Sequence, residues 1–164
     1  LLALVCIVWT GVQRVVEAAI IALSIAMVAS LAAQVVARYA FNAPLTWSEE
    51  AARYVFIWLS FLGAWLAWAR REHLGIDLLA DAASPRVRWL LLRVGEVVVL
   101  TFAISAMVFG RRILEVSINQ PSAVLRLPMA WVYLAFYVGM ALIVVQTFAD
   151  LIAAATGRAR EAAG

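Results

Sequence analysis

The sequence predicts an all-α integral membrane protein: a four-transmembrane-helix bundle with short interfacial segments and both termini cytoplasmic. Of its 164 residues, 66% are hydrophobic and only 14% charged, and mean hydropathy is +0.98, a composition outside the range of soluble globular domains. Four apolar stretches lie near 15–37, 54–69, 89–109 and 129–155, each close to the roughly 20 residues that a hydrocarbon core of about 30 Å requires of a helix. The alternating pattern of a membrane barrel is absent from the letters, and backbone groups in lipid must be satisfied within their own segment, so helices remain. The four spans form one domain, 1–155, followed by a polar tail, 156–164.

Each element follows from local chemistry. Residues 1–14 read as a short segment on the membrane surface or as the ragged start of helix 1; a single span over 1–37 is less attractive, because Arg14 and Glu17 would fall near its middle at a desolvation cost. Helix 1 carries Ala18, Ala22, Ala26 and Ser30 at four-residue steps, a stripe of small residues that reads as a helix contact face. Ser60 with Ala64, Gly63 with Ala67, Ala106 with Gly110 and Ala135 with Gly139 are shorter versions of it. Between helices 1 and 2 lies a polar hinge, residues 38–53. There Thr46-Trp47-Ser48-Glu49 has capping-box spacing and predicts the start of helix 2. Glu49 and Glu50 then sit in the first turn, where the helix dipole favours acids, and Glu49 lies four residues before Arg53, suited to an ion pair. Trp47 marks the headgroup level.

Ser84-Pro85 offers an N-cap followed by proline at the first helical position. Helix 3 starts there on this reading and runs past Phe109 into Arg111-Arg112-Ile113-Leu114. Asn119-Gln120-Pro121-Ser122 breaks the pattern, and Leu127-Pro128 introduces helix 4, whose Trp131, Tyr133 and Tyr137 suit an aromatic belt. The connection from Arg70 to Ser84 alternates apolar and polar positions and reads as a segment on the inner surface.

Charge sets orientation and excludes several functions. Drawing the four spans places Arg14, Arg70, Arg71, Arg86, Arg88, Arg93, Arg158 and Arg160 on one side and Arg38, Arg53, Arg111, Arg112 and Arg126 on the other. The richer side is cytoplasmic by the positive-inside rule. The net charge of +3 comes from arginines scattered at helix ends, with no lysine, so a nucleic-acid partner is not expected. A lone histidine, His73, and a lone cysteine, Cys6, leave no multi-histidine metal site, bis-imidazole haem or disulfide framework. No HExxH, GxSxG or phosphate-loop motif is present. No catalysis, cofactor or metal is therefore expected.

Ionisable groups near the spans are candidate contacts by default. Glu17 is three residues from Arg14, Glu96 three from Arg93, and Asp150 four from Gln146. Local pairing is expected for Glu17 and Asp150; Glu96 lies deeper and suits a contact with Arg93 or with another subunit.

Several runs point to a family. Arg38-Tyr39-Ala40-Phe41-Asn42, then Pro44-Leu45-Thr46-Trp47-Ser48-Glu49-Glu50, Arg53-Tyr54, Trp58, and Glu72-His73-Leu74-Gly75-Ile76-Asp77 together resemble the small membrane subunit, DctQ type, of tripartite ATP-independent periplasmic (TRAP) transporters. Leu127-Pro128 through Tyr133 is similar as well. The resemblance covers most of the chain. It implies a bacterial inner-membrane protein partnered with a large transmembrane transport subunit and a periplasmic substrate-binding protein. In such systems the large subunit moves organic acids by an elevator motion driven by an ion gradient, usually sodium, while the small subunit packs on its scaffold.

The expected role is that of a stator. Arg38, Trp47, Glu49, Glu50 and Arg53 are the expected hairpin and subunit contacts: Arg38 binds carboxylates or carbonyls, Glu49 pairs with Arg53, and Glu50 is free to reach a partner. Glu17, Arg93 and Glu96 are expected intramembrane polar contacts. Arg111, Arg112 and Arg126 face membrane phospholipid or the periplasmic protein, with lipid preferred. The alternative is an autonomous four-helix transporter of the small multidrug-exporter kind, although the long connections and the terminal position of Glu17 fit it less well.

Overall fold

A computed structural model describes residues 2–43, 45–70 and 84–155, with the side chains of residues 2–8 and 155 left aside. Four helices account for nearly all of it: α1 (Leu2–Ala40), α2 (Thr46–Ala69), α3 (Pro85–Ser117) and α4 (Ala130–Ala155). Each contains a segment long and apolar enough to cross a bilayer. The predicted surface segment after Arg70, with His73, and the tail 156–164 fall outside the described residues.

The helices pack in an order that differs from their order in the chain. α1 lies against α2, α2 against α4, and α4 against α3, and no other helix pair comes into close backbone contact among the described residues. The bundle is thus an open row, with α1 and α3 at its edges. We call the end carrying residues 38–53 and 110–128 the hinge end and the opposite end the terminal end.

α1 is one unbroken helix, so residues 2–14 continue it rather than forming a separate surface element. Its membrane-crossing part, Trp9–Ala40, rises about 48 Å at 1.5 Å per residue, well beyond the hydrocarbon thickness. Arg14 and Glu17 therefore need not occupy the middle of the span, which removes the objection to a continuous helix. At the other end Asn42 adopts φ 49°, a left-handed conformation that asparagine tolerates better than most residues. The Ala43 N–H then reaches back 3.1 Å to the Ala37 carbonyl, satisfying one of the last carbonyls of α1.

α2 begins at Thr46 without the expected capping box. Leu45 occupies the cap position with no side-chain hydrogen bond, and Thr46 is already helical. The Ser48 hydroxyl, fully buried, donates instead to the Leu45 carbonyl at 2.7 Å. α3 starts where Ser84-Pro85 predicts, with proline in the first turn, although the Ser84 side chain makes no cap bond. It continues through Arg111-Arg112 to Ser117.

The core lies where α2 meets its neighbours. Trp65 and Ala103 have no exposed surface and Ile143 is buried; Trp9, Val12 and Val16 of α1 pack on this cluster. Trp9 stands edge-on to Trp65 with ring centroids 5.8 Å apart, a favoured aromatic geometry. Gly139 permits the closest helix approach: a Cβ there would lie 2.8 Å from the Phe61 Cβ. Ala135 beside it is fully buried, so the Ala135/Gly139 pair is a genuine seam. Ala106 and Gly110 likewise face α4, with Gly110 against Tyr137. The longer stripe of α1 behaves differently. Ala18, Ala22 and Ala26 are exposed, as are Ser60 and Ala64, so these small residues are not buried in a seam between the described helices.

Candidate functional site

Two polar clusters stand out, one at each end of the row. At the hinge end Glu49 and Arg53 lie one helical turn apart on α2, with Arg53 Nη2 3.3 Å from Glu49 Oε1. Both side chains are about two-thirds exposed or more, so the pair adds little stability.

Glu50 differs from Glu49 entirely. Its Oε2 accepts the N–H of Val124 at 2.8 Å and of Leu125 at 3.1 Å, and the Tyr54 hydroxyl donates to its Oε1. The carboxylate expected to be free for a partner is thus consumed inside the chain, because the loop from Ser117 to Pro128 folds over it. That loop is itself ordered. Pro121 and Pro128 face each other in an antiparallel bridge, the Ser122 N–H donates to the Leu127 carbonyl at 2.8 Å, and the Met129 N–H to the Gln120 carbonyl at 2.8 Å. Leu127 N–H also reaches the Ser122 hydroxyl at 3.2 Å. Arg126 completes the turn with φ 56° and is exposed. The result is a short hairpin, 120–129, whose tip is pinned to α2 by two charge-assisted bonds.

The other hinge-end candidates point outward. Trp47 is 46% exposed, consistent with a headgroup-level ring. Arg38 sits in the last turn of α1, where the helix dipole favours a cation, and Arg111 lies 3.2 Å from Glu115 on the same face of α3. Among the described residues Arg38, Arg112 and Arg126 have no ion pair. Trp131 is exposed as an aromatic-belt residue should be, whereas Tyr137 turns inward and donates to the Met107 carbonyl at 3.4 Å.

At the terminal end the contacts run between helices. Glu17 does not pair with Arg14; its Oε2 lies 2.8 Å from Arg70 Nη2 at the end of α2. Residue spacing along one helix hid this partner, which comes from the antiparallel return of the chain. Arg93 and Glu96 do pair, at 2.5 Å, with side chains only 14% and 10% exposed. Arg93 Nη1 also reaches the Asp150 carbonyl of α4 at 3.5 Å. Gln146 donates to Asp150 at 3.2 Å and accepts from Trp9 Nε1 at 2.7 Å, joining α1 to α4. Trp68 Nε1 donates to the Thr147 hydroxyl at 2.8 Å, which donates onward to the Ile143 carbonyl. The Gln146–Asp150 contact is the local pairing expected of Asp150, whereas the indoles of Trp9 and Trp68 carried no such expectation; their signal was tryptophan at positions that the apolar pattern assigns to the core. Among the described residues Trp65 Nε1 and Arg93 Nε are buried donors with no acceptor.

Neither cluster resembles an active site. Charged side chains are confined to the two ends, and the stretches 18–37, 54–69, 97–110 and 130–149 carry none. The arrangement can hold helices together and meet interfaces.

Comparison with known proteins assigns the chain. The family pattern described as tripartite ATP-independent periplasmic transporters, DctQ component, matches residues 27–157. The chain is 38% identical over 66 residues to the sialic acid TRAP transporter permease protein SiaT of Haemophilus influenzae, covering 40% of this chain and 11% of that one. It is 35% identical over 72 residues to the C4-dicarboxylate TRAP transporter small permease protein DctQ of Vibrio cholerae, covering 44% and 31%. With the sialic acid TRAP transporter small permease protein SiaQ of Vibrio cholerae it shares 29% identity over 99 residues, 60% of this chain and 57% of that one. The alignments span no more than about a third of the length of the first of these relatives. In SiaT the matching part is a small share of a much longer permease chain. A multi-pass helical membrane protein with four spans and a family match over most of its length is thereby placed: the chain belongs to the DctQ component family of the tripartite ATP-independent periplasmic transporters.

Proposed function

We propose that this chain is the stationary small subunit of a TRAP transporter in the bacterial inner membrane, with both termini cytoplasmic. It packs on the scaffold of a large elevator-type subunit, which takes up organic acids delivered by a periplasmic binding protein and is driven by an ion gradient, sodium in the usual case. The single observation that carries this reading is where the charged groups lie. Every charged side chain on the described helices sits toward one end of its span, Arg93 and Glu96 paired with each other there, and the four charge-free stretches leave the middle of the bilayer without an ionisable group of the kind that marks an ion or substrate path. The eight-to-five division of arginines supports the orientation. The names of the relatives, which include sialic acid, C4-dicarboxylate and isethionate transporters, support the substrate class.

An elevator needs a fixed reference in the bilayer. Aromatic and arginine anchors at both ends, with helices of unequal length, resist tilt and vertical slip. On this reading Arg38 and Trp47 contact the large subunit, while Arg126 and Arg112 meet the periplasmic protein or phospholipid headgroups. The test is reconstitution in liposomes with an imposed ion gradient. Substrate uptake is expected only when the large subunit and binding protein are present; uptake by the chain alone would refute the reading and favour an autonomous transporter.

A further inference from the structure

The chain has four methionines, Met27, Met107, Met129 and Met140, and one of them is set apart. Met27, Met107 and Met140 lie inside the charge-free stretches 18–37, 97–110 and 130–149, where the surrounding medium is hydrocarbon. Met129 precedes the last span, Ala130–Ala154, and is only partly buried. It forms the base of the 120–129 hairpin, its N–H donating to the Gln120 carbonyl at 2.8 Å, and its sulfur lies 3.4 Å from the Tyr54 hydroxyl.

We propose that Met129 is an oxidation-sensitive latch: a water-borne peroxide converts its thioether to a sulfoxide, whose oxygen draws the Tyr54 hydroxyl away from Glu50 and so loosens the hairpin. In this step the sulfur attacks the terminal O–H oxygen of the peroxide. The S–O bond forms as the O–O bond breaks, sulfur loses two electrons, and the leaving oxygen takes them together with the proton of the transferred oxygen, departing as water or as an acid. Position gives the selectivity, because a charged oxidant stays in water and Met129 is the methionine that water reaches. Hydrogen bonding gives the effect. The Tyr54 hydroxyl has one proton; it donates to Glu50 Oε1, with the Met129 sulfur as its second contact. A thioether is a weak acceptor, so Glu50 holds that proton. Oxidation makes the same side chain polar and chiral and sets a strong acceptor, bearing partial negative charge, beside both the phenol and the carboxylate. Connectivity carries the change to the hairpin tip. The other oxygen of Glu50 accepts the N–H groups of Val124 and Leu125, so a carboxylate that loses Tyr54 and meets a repelling dipole weakens its hold on both. Methionine sulfoxide reductases restore the thioether, which makes the latch reversible.

The test uses the full chain with its transport subunit in liposomes, in a Cys6→Ser background so that the thioethers are the reactive sulfur groups. Peroxymonosulfate, an anionic peroxide, is supplied on both faces of the bilayer, so the result does not depend on orientation. Peptide mass spectrometry should find an added oxygen on Met129 several-fold faster than on Met27, Met107 or Met140. After solubilisation in mild detergent, the amides of Val124 and Leu125 should exchange with deuterium several-fold faster in the oxidised protein, and treatment with the reductases should restore the slow rate. Met129→Leu, which conserves volume, should show no effect of the oxidant on exchange. Tyr54→Phe should still be oxidised at Met129 but should lose the oxidant-dependent change, because no phenol is left to redirect. Equal oxidation of the four methionines would overturn the proposal, as would full oxidation of Met129 with exchange at Val124 and Leu125 unchanged.

Discussion

The seam between α2 and α4 joins the two halves of the row, and one atom tests it. A methyl group added at Gly139 would sit 2.8 Å from the Phe61 Cβ, 3.0 Å from its carbonyl oxygen and 3.2 Å from its carbonyl carbon. The closest of these is about 0.7 Å short of a comfortable carbon–carbon separation. Two of the three obstructing atoms are backbone, so no rotamer of Phe61 relieves them; the helices themselves must part. Overpacking of this kind costs about 1–3 kcal/mol, partly masked by the gain of up to about 1 kcal/mol when alanine replaces glycine in a helix. Gly63→Ala supplies the reference, because nothing lies within 4 Å of its added methyl and it carries the same propensity gain. The difference between the two variants therefore isolates the clash. At about 2–4 °C per kcal/mol for a chain of this size, Gly139→Ala should melt about 2–12 °C below Gly63→Ala in the same detergent, followed by circular dichroism or tryptophan fluorescence. If the two melt together, α2 and α4 are not in backbone contact and the order of the row is wrong.

Glu50→Gln keeps the length of the side chain but removes the charge from its bonds to Val124 and Leu125, so those two amides should exchange with deuterium several-fold faster while amides of the buried part of α4 do not change; unaltered exchange would mean that the hairpin holds its shape without the carboxylate. Glu96→Leu strands Arg93, whose side chain is 14% exposed. Removing one partner of a buried pair costs about 3–5 kcal/mol, so the double change Arg93→Leu with Glu96→Leu should melt above the single variant, and the reverse order would refute a paired site. Trp9→Phe preserves the ring against Trp65 but loses the 2.7 Å bond to Gln146; an interhelical bond in a membrane is worth about 0.6 kcal/mol and at most about 1.7, so denaturant unfolding should show a small loss, with Trp9→Ala clearly worse. Under the scaffold proposal, Arg38→Ala should reduce copurification with the large subunit in mild detergent more than Arg158→Ala does, and equal recovery would deprive the hinge of any special role.

Most signals that depend on local spacing were legible in the letters, the side-chain caps at Thr46 and Ser84 excepted, and signals that depend on chain return were not. The apolar stretches, the proline start of α3 and the run of α3 past Arg112 all appear in the structure because each is decided within a turn or two of helix. Glu49 with Arg53 and Arg93 with Glu96 belong to the same class. Glu17 and Glu50 fall outside it. Glu17 has Arg14 on its own helix yet takes Arg70 from α2, and Glu50, expected to be free, takes Tyr54 of its own helix together with backbone amides 74 and 75 residues away. Backbone donors are invisible to any search for charged partners. The small-residue stripes divide in a similar way. Gly139 marks a close approach because an added Cβ would meet the backbone of Phe61, and Gly110 lies tight against the Tyr137 side chain, while the alanines of α1 recur at the same interval in an alanine-rich helix and face outward. Periodicity shows that residues share a face, not which face is covered.

An open row lacks the mutual support of a closed bundle, so each seam must resist shear by its own contacts, and each is fastened near both ends. α1 and α2 are joined by the short hinge at one end and by Glu17 with Arg70 at the other. α2 and α4 are tied at the hinge end by Glu50 on the 120–129 hairpin and by the Tyr54 hydroxyl 3.4 Å from the Met129 sulfur, at Gly139 by backbone contact, and toward the terminal end by Trp68 on Thr147. α4 and α3 are held by Tyr137 on the Met107 carbonyl and by Arg93 on the Asp150 carbonyl. Two separated fastenings per seam block both sliding and hinge opening, because either motion that relieves one stretches the other. A domain that carries cargo across a bilayer needs at least one seam free to slide. Here the described helices provide none, while both flanks of the row keep broad apolar faces uncovered, including Val15, Ile25 and Val28 on α1 and Val98, Phe102 and Val108 on α3. Rigid inside and apolar along its edges, such a row fits the stationary role proposed above.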